Sequence, residues 1–266
     1  MKAEILSHLS LDHPWRQHIQ WLESTESTNT LAKTLAAEGA PHGTVIIADR
    51  QTGGRGRMGR SFYSPAGKGI YMSVLLRPQC SPRELMHLTC AAAVAACDAI
   101  TSVTQLCPSI KWTNDLILND KKLGGILTEL LFSAGNENSF SAIIGIGINC
   151  SQKAQDFDSS IQHIATSLSI AGREDTSRAQ LCSALVQALQ ELDASLLNKK
   201  ADILSRYRQN CITIGKDICI VRGDEVRHGY ALDIDDTGAL VVSFPDGHTE
   251  TVNSGEVSVR GLYGYV

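Results

Sequence analysis

Residues 44–60 read TVIIADRQTGGRGRMGR, and the change of texture inside this stretch organises the rest of the chain. The opening TVIIA is a short apolar run of the kind that forms a strand buried on both faces. The closing TGGRGRMGR, at 52–60, holds four glycines and three arginines. Glycine loses too much chain entropy to favour a helix or strand interior, so a loop must follow the strand directly. Three guanidiniums packed so closely repel one another unless an anion sits among them. Glycine permits close backbone approach, and arginine offers a fixed fork matched to carboxylate or phosphate. A flexible solvated loop has the same composition, so the neighbouring segments must decide between the two readings.

Upstream, residues 24–39 (STESTNTLAKTLAAEG) form a polar cap leading into a helix. Leu31, Ala32, Leu35 and Ala36 share one face, and Gly39 stops it. Downstream, YMSVLL at 71–76 is a second strand. Ser81-Pro82-Arg83-Glu84 has the capping-box pattern with an early proline, opening an alanine-rich helix to about residue 100. Strand pieces follow at 110–112, 116–118, 125–132 and 142–148, then helices at 180–197 and 201–209. After Cys211 the texture becomes purely β, with ICIV, YALDI, ALVVSF and TETVN separated by RGD, DDTG and PDG turns. The expected architecture is therefore α+β: a mixed sheet flanked by helices over residues 1–210, and a small β-barrel over 211–266.

The bulk composition narrows the function. Of 266 residues, 43% are hydrophobic and 20% charged, and the formal net charge is −4. That balance argues against a general nucleic-acid surface while leaving room for a local basic pocket. The eight cysteines show no CxxC spacing and several lie in apolar runs, as expected of free thiols in a reducing compartment. The eight histidines show no HxxxH or HExxH spacing. There is no signal-peptide core at the start and no 18-residue apolar stretch, so a cytoplasmic, non-membrane protein is expected.

Three further motifs carry chemistry. In Lys111-Trp112-Thr113-Asn114-Asp115, a lysine beside a bulky aromatic can be held partly buried, where it neutralises a carboxylate and a phosphate together. Asn114 and Asp115 could orient a nucleotide or supply oxygen ligands to Mg²⁺. In Lys121-Lys122-Leu123-Gly124-Gly125, two glycines let the main chain pass close to a phosphate while a lysine reaches in. In Gly145-Ile146-Gly147-Ile148-Asn149, alternating glycines leave one strand face bare, for another backbone or a flat ligand. The dinucleotide fingerprint, the Walker A loop and G-x-S-x-G are all missing. Taken singly, these motifs have bland readings as an edge strand, a hairpin turn or a close backbone approach.

In this order and together, they resemble the biotin protein ligases. The resemblance rests on Ser27-Thr28-Asn29, Gln51 with the 54–59 segment, Lys111-Trp112-x-Asn114-Asp115, Lys122-Leu123-x-Gly125-Ile126-Leu127 and the 145–149 strand. The tail at 255–261, GEVSVRG, adds to it. The match spans about residues 20–264. The resemblance implies a catalytic domain related to class II aminoacyl-tRNA synthetases, followed by an SH3-like barrel. It implies a two-step reaction with ATP and Mg²⁺, giving biotinyl-5′-AMP and then transfer to a lysine of an apo biotin carboxyl carrier domain.

By the same resemblance, Arg55 holds the biotin carboxylate, Arg57 covers the adenylate and Lys111 bridges carboxylate and α-phosphate, which makes these three the catalytic candidates. Ser27, Thr28, Asn29, Gln51, Gly54 and Gly56 complete the biotin pocket. Trp112, Asn114, Lys122, Asn149 and Arg260 fall to ATP, and Asp115 to Mg²⁺. Family members occur as monomers and dimers, so a homodimer is compatible. The family usually has proline after the Lys-Trp pair, where this chain has Thr113. The roughly 20 residues before the ligase core are too few for the DNA-binding module of the repressor members, so no specific DNA binding is expected. Two rival readings stay open here: a lipoate- or octanoyl-transferring relative, and a non-catalytic biotin sensor.

Overall fold

The computed structural model describes residues 1–133, 136–253 and 258–261. In chain order the elements are α1 (Lys2–Ser7), β1 (Ile19–Leu22), α2 (Thr28–Ala37), β2 (Thr44–Ala48), β3 (Gly69–Leu76) and α3 (Leu88–Thr104). Then come β4 (Ser109–Lys111), β5 (Asp115–Leu118), β6 (Lys121–Ser133), β7 (Asn136–Asn149), α4 (Arg178–Ser195) and α5 (Lys200–Asn210). The last part holds β8 (Asp217–Arg222), β9 (Glu225–Ile234), β10 (Leu240–Ser243), β11 (Thr249–Val252) and β12 (Ser258–Gly261).

The first seven strands form one mixed sheet, ordered β1-β2-β3-β7-β6-β5-β4. Only β1 and β2 run parallel; the other neighbours are antiparallel. β2 and β3 are buried at every position, as their unbroken apolar sequences require of strands covered on both faces. On one face lies a large core built with α3 and α4; on the other, Ala32 and Ala36 of α2 pack on Ile46, Leu75 and Ile143. Each fully buried Ile or Leu contributes about 1.5–3 kcal/mol. The alanines at 91–93, 95, 96 and 99 are all buried, and such small side chains let α3 approach both its helical neighbours and the sheet.

Pro82–Thr104 is long and apolar enough to cross a membrane by length and composition, contrary to the expectation that no such stretch exists. In the structure it is a core segment instead. It begins as a short 3-10 turn at Pro82–Leu85, with Glu84 accepting from Ser81 N at 2.8 Å, and the α-helix proper starts only at Leu88. Five cysteines are buried, and all eight are free. Burial pushes the Cys90, Cys97 and Cys150 thiols up to about 12, so they stay protonated.

The second sheet is antiparallel, ordered β11-β10-β9-β8-β12. Among the described residues the expected small barrel is a five-stranded antiparallel sheet, and no pairing closes β11 onto β12. The segment leading into it is joined to the end of β4. Ile110 and Cys211 form an isolated parallel bridge, Trp112 N donates to Thr213 Oγ1 at 2.9 Å, and the Tyr207 hydroxyl donates to Thr113 O at 3.0 Å.

Candidate active site

The parallel register of β1 and β2 places the first two motifs side by side. It continues past the strands as a bridge between Thr25 and Gln51, with Thr52 N donating to Thr25 O and Gly53 N to Glu26 O. The loop after β2 is thereby laid along the start of α2. Ser27 is the N-cap of that helix, in extended backbone, and its hydroxyl accepts from Thr30 N at 3.4 Å. Helix capping therefore dictates a serine here independently of any ligand. Gln51 Oε1 accepts from Thr28 N at 2.8 Å and lies 3.0 Å from Thr28 Oγ1.

The arginine-glycine segment folds back as a small hairpin. Gly56 N donates to Arg60 O at 2.7 Å and Phe62 N to Gly54 O at 2.8 Å, with an antiparallel bridge between Arg55 and Ser61. Met58 (φ 54°) and Gly59 (φ 72°) turn its tip through left-handed backbone. Gly54 lies at the base, where a Cβ would come within 2.3 Å of Phe62 O.

The bare face of β7 is approached closely by two side chains. A Cβ on Gly145 would lie 2.1 Å from Asn29 Oδ1, and one on Gly147 would lie 2.6 Å from the Phe62 ring. Phe62 packs edge-on against Tyr71 with centroids 6.4 Å apart. The two glycines thus seat Asn29 from α2 and Phe62 from the hairpin on the sheet.

These elements enclose a cavity of about 670 Å³. Ser27, Thr28, Asn29, Gln51, Arg55, Gly56, Arg57, Lys111, Trp112, Asn114, Asp115 and Lys122 all line it. Its charge is lopsided: Arg55, Arg57, Arg60, Lys111 and Lys122 face one carboxylate, Asp115. Lys111 is buried at the end of β4, next to a cis Trp112–Thr113 peptide bond. Arg57 Nη1 donates to Asn114 Oδ1 at 3.0 Å, and Asn114 Nδ2 donates to Ile126 O at 2.9 Å. Burial lowers the Arg57 pKa, Asp115 raises it in part and Arg60 lowers it further. A half-buried cation so placed gains most from a bound anion.

Some expected residues stand elsewhere. Asn149 does not line the cavity; its amide donates to Thr166 O at 2.9 Å and accepts from Gln152 Nε2 at 3.0 Å. Gly54 shapes the hairpin base without lining the cavity. Arg260 belongs to β12, and its side chain lies outside the described residues. Asp115, expected at Mg²⁺, is paired with Lys122 Nζ at 2.6 Å. Among the described residues no three His, Cys, Asp or Glu side chains converge to hold a metal. Mg²⁺ is ordinarily held by one or two carboxylates together with substrate phosphates and water rather than by an all-protein cage, so Asp115, which does line the cavity, would be the protein's ligand to an ion brought in with the nucleotide.

Sequence reasoning missed Phe62, Ser64, Ser73 and the loop carrying His163 and Ile164, which also borders the cavity. A lone serine within the apolar strand GIYMSVLL was the available signal for Ser73.

Comparisons with known proteins bear on the fold and family of the chain. Residues 21–149 match the model of the Biotin/lipoate A/B protein ligase family, and residues 213–260 match the Biotin protein ligase C terminal domain. The chain is 36% identical over 232 residues to the bifunctional ligase/repressor BirA of Bacillus spizizenii, covering 87% of this chain and 71% of that one. It is 32% identical over 249 residues to the biotin–[acetyl-CoA-carboxylase] ligase of Mycobacterium tuberculosis, covering 91% and 89%. The structure of biotin protein ligase from Aquifex aeolicus, solved with biotin and ATP, superimposes with a TM-score of 0.76 at 27% identity, over 91% of this chain and 98% of that one. A cavity lined by five cations, on a fold and sequence shared over nearly the whole length, leaves one conclusion: the chain belongs to the biotin protein ligase family, whose members join biotin to protein in an ATP-dependent reaction.

Proposed function

We propose that the cavity first joins biotin to AMP and then delivers the biotinyl group to a lysine of an apo biotin carboxyl carrier domain. In the first step a biotin carboxylate oxygen attacks the α-phosphorus of ATP. A P–O bond forms, the bond to pyrophosphate breaks, and a mixed anhydride results. In the second step the neutral amine of the acceptor lysine attacks the acyl carbon. An amide forms, AMP leaves with the bonding pair, and the amine proton is released.

The observation that carries this reading is the charge of the cavity, five cations against one carboxylate. A carboxylate and a triphosphate repel each other, and only cations standing between them bring them to reacting distance. Lys111, buried at the end of β4, is the residue assigned to bridge the two. Arg55 takes the carboxylate side and Arg57, anchored by Asn114, takes the phosphates. Each such contact is worth about 2.7–4 kcal/mol in the transition state, or roughly 10²–10³ in rate. Lys122 and Trp112 border the nucleotide side. At the other end, Ser27, Thr28, Asn29 and Gln51 supply neutral donors and acceptors suited to a ureido ring, which carries both. Residues 1–210 are assigned to catalysis and 211–266 to a C-terminal domain that braces Trp112.

Incubation with biotin, MgATP and an apo carrier domain tests the reading. The carrier gains the mass of one biotinyl group only when both small substrates are present. A carrier unchanged in mass, with carrier and enzyme both folded, contradicts it.

A further inference from the structure

Ser73 has no exposed surface and does not line the cavity, yet it is the hub of the hydrogen bonds beneath it. Its Oγ lies 2.6 Å from Asn29 Oδ1 and 2.8 Å from Thr28 Oγ1. Asn29 Nδ2 donates to Leu127 O at 3.2 Å and to Glu129 Oε2 at 2.9 Å, and Glu129 Oε1 takes Lys33 Nζ at 2.5 Å. The amide orientation of Asn29 is therefore fixed, and its Oδ1 can only accept.

A hydroxyl has one proton. Ser73 must spend its own on Asn29 Oδ1, which is otherwise a buried acceptor with no donor. Ser73 then has none left for Thr28, so the Thr28 proton faces inward, to Ser73 Oγ at 2.8 Å or Gln51 Oε1 at 3.0 Å. On the cavity side Thr28 is left with lone pairs. Gln51 is ordered too: Oε1 is occupied by Thr28 N, and Nε2 donates to Ser64 Oγ at 2.9 Å.

We propose that Ser73 is a positioning residue that holds Thr28 as a hydrogen-bond acceptor toward the cavity, so that the site selects a ligand ring bearing an N–H. This rests on the reading that Thr28 meets the ureido ring. A site built around a buried acceptor rejects an analogue lacking the donor, because the acceptor is then left unpaired.

The test compares biotin with the analogue in which one ring N–H is replaced by oxygen, using pyrophosphate exchange in wild type, Ser73→Ala and Ser73→Cys. Wild type favours biotin. Ser73→Ala raises KM for biotin by about tenfold, the expression of one lost buried hydrogen bond, and leaves KM for ATP unchanged. It also narrows the preference for biotin over the analogue, because Thr28, with one of its two inward acceptors removed, is held less firmly with its lone pairs toward the ring. Ser73→Cys, close in size but a weak donor, shifts both quantities the same way by less, and it decides the matter should Ser73→Ala fail to fold. Wild-type preference and wild-type KM in folded Ser73→Ala or Ser73→Cys overturn the role of Ser73. A wild-type enzyme indifferent to the two ligands overturns instead the placing of Thr28 on the ureido ring.

Discussion

Trp112 donates its indole N–H to the Gly238 carbonyl at 3.0 Å. This ties the residue next to Lys111 to the turn between β9 and β10. The turn is firm in its own right: Asp235 Oδ1 accepts from Thr237 N at 2.8 Å and from Ala239 N at 3.0 Å. Gly238 has φ 85°, and a Cβ there would lie 2.8 Å from Cys90 Sγ. The wall of the cavity beside Lys111 is thus held from the C-terminal sheet.

Trp112→Phe keeps the ring and removes the donor. It leaves Gly238 O in a buried place with the weak Cys90 Sγ donor at 3.8 Å in place of the indole, at a cost of about 1 kcal/mol. A lower denaturation midpoint, with KM for ATP raised several-fold more than KM for biotin, is the expected result. Unchanged stability and an unchanged ratio of the two KM values would show that the link is dispensable.

Gly145→Ala should be among the most damaging single-methyl changes in the site. The new Cβ would lie 2.1 Å from Asn29 Oδ1, so Asn29 must leave its seat and break its bonds to Ser73 and Glu129. Overpacking of this kind costs about 1–3 kcal/mol, and biotin binding by calorimetry should weaken by tenfold or more. Gly172→Ala serves as the control. It has φ 86° but nothing within 4 Å of a new Cβ, so it costs stability through strain alone and leaves biotin affinity intact.

His87 predicts a pH dependence of stability. It is fully buried, its Nε2 lies 3.1 Å from Leu196 O, and burial lowers its pKa from 6.5. The unfolded chain then binds more protons than the folded one between the two pKa values, so stability rises with pH there. The contribution is complete above about pH 6.5 and is lost as pH falls through the window below it. His87→Gln, which keeps a donor for Leu196 O, should flatten that part of the curve in denaturant titrations. An equally steep fall in the variant would assign the slope to other groups, His13 foremost, whose pKa burial also lowers.

Much of this molecule is legible locally. The α2 cap at Ser27, the strand TVIIA and the following loop follow from caps, apolar runs and glycine content. α1 and β1 escape such a reading because KAEILS and IQWL are too short to show a period. The site escapes differently. Asn29 meets Glu129 across 100 residues and Ser73 across 44, and no local pattern encodes such pairings. The glycines at 145 and 147 announce a close approach without saying what approaches. Asn149 lies on the same strand face as they do, yet at the end of β7 its side chain bonds Thr166 and Gln152, partners that no alternation pattern names. The turns and short strands after Cys211 reveal a β domain, but sheet closure is a long-range property that they do not carry.

The proposed activation step turns on buried Lys111 bridging the two anions. Biotin-dependent exchange of labelled pyrophosphate into ATP measures that step without any carrier protein. Wild-type protein should exchange label only when biotin is present, and Lys111→Ala, with native circular dichroism, should lose at least about a hundredfold in rate. Exchange in wild type that does not depend on biotin, or undiminished exchange in folded Lys111→Ala, would contradict the account.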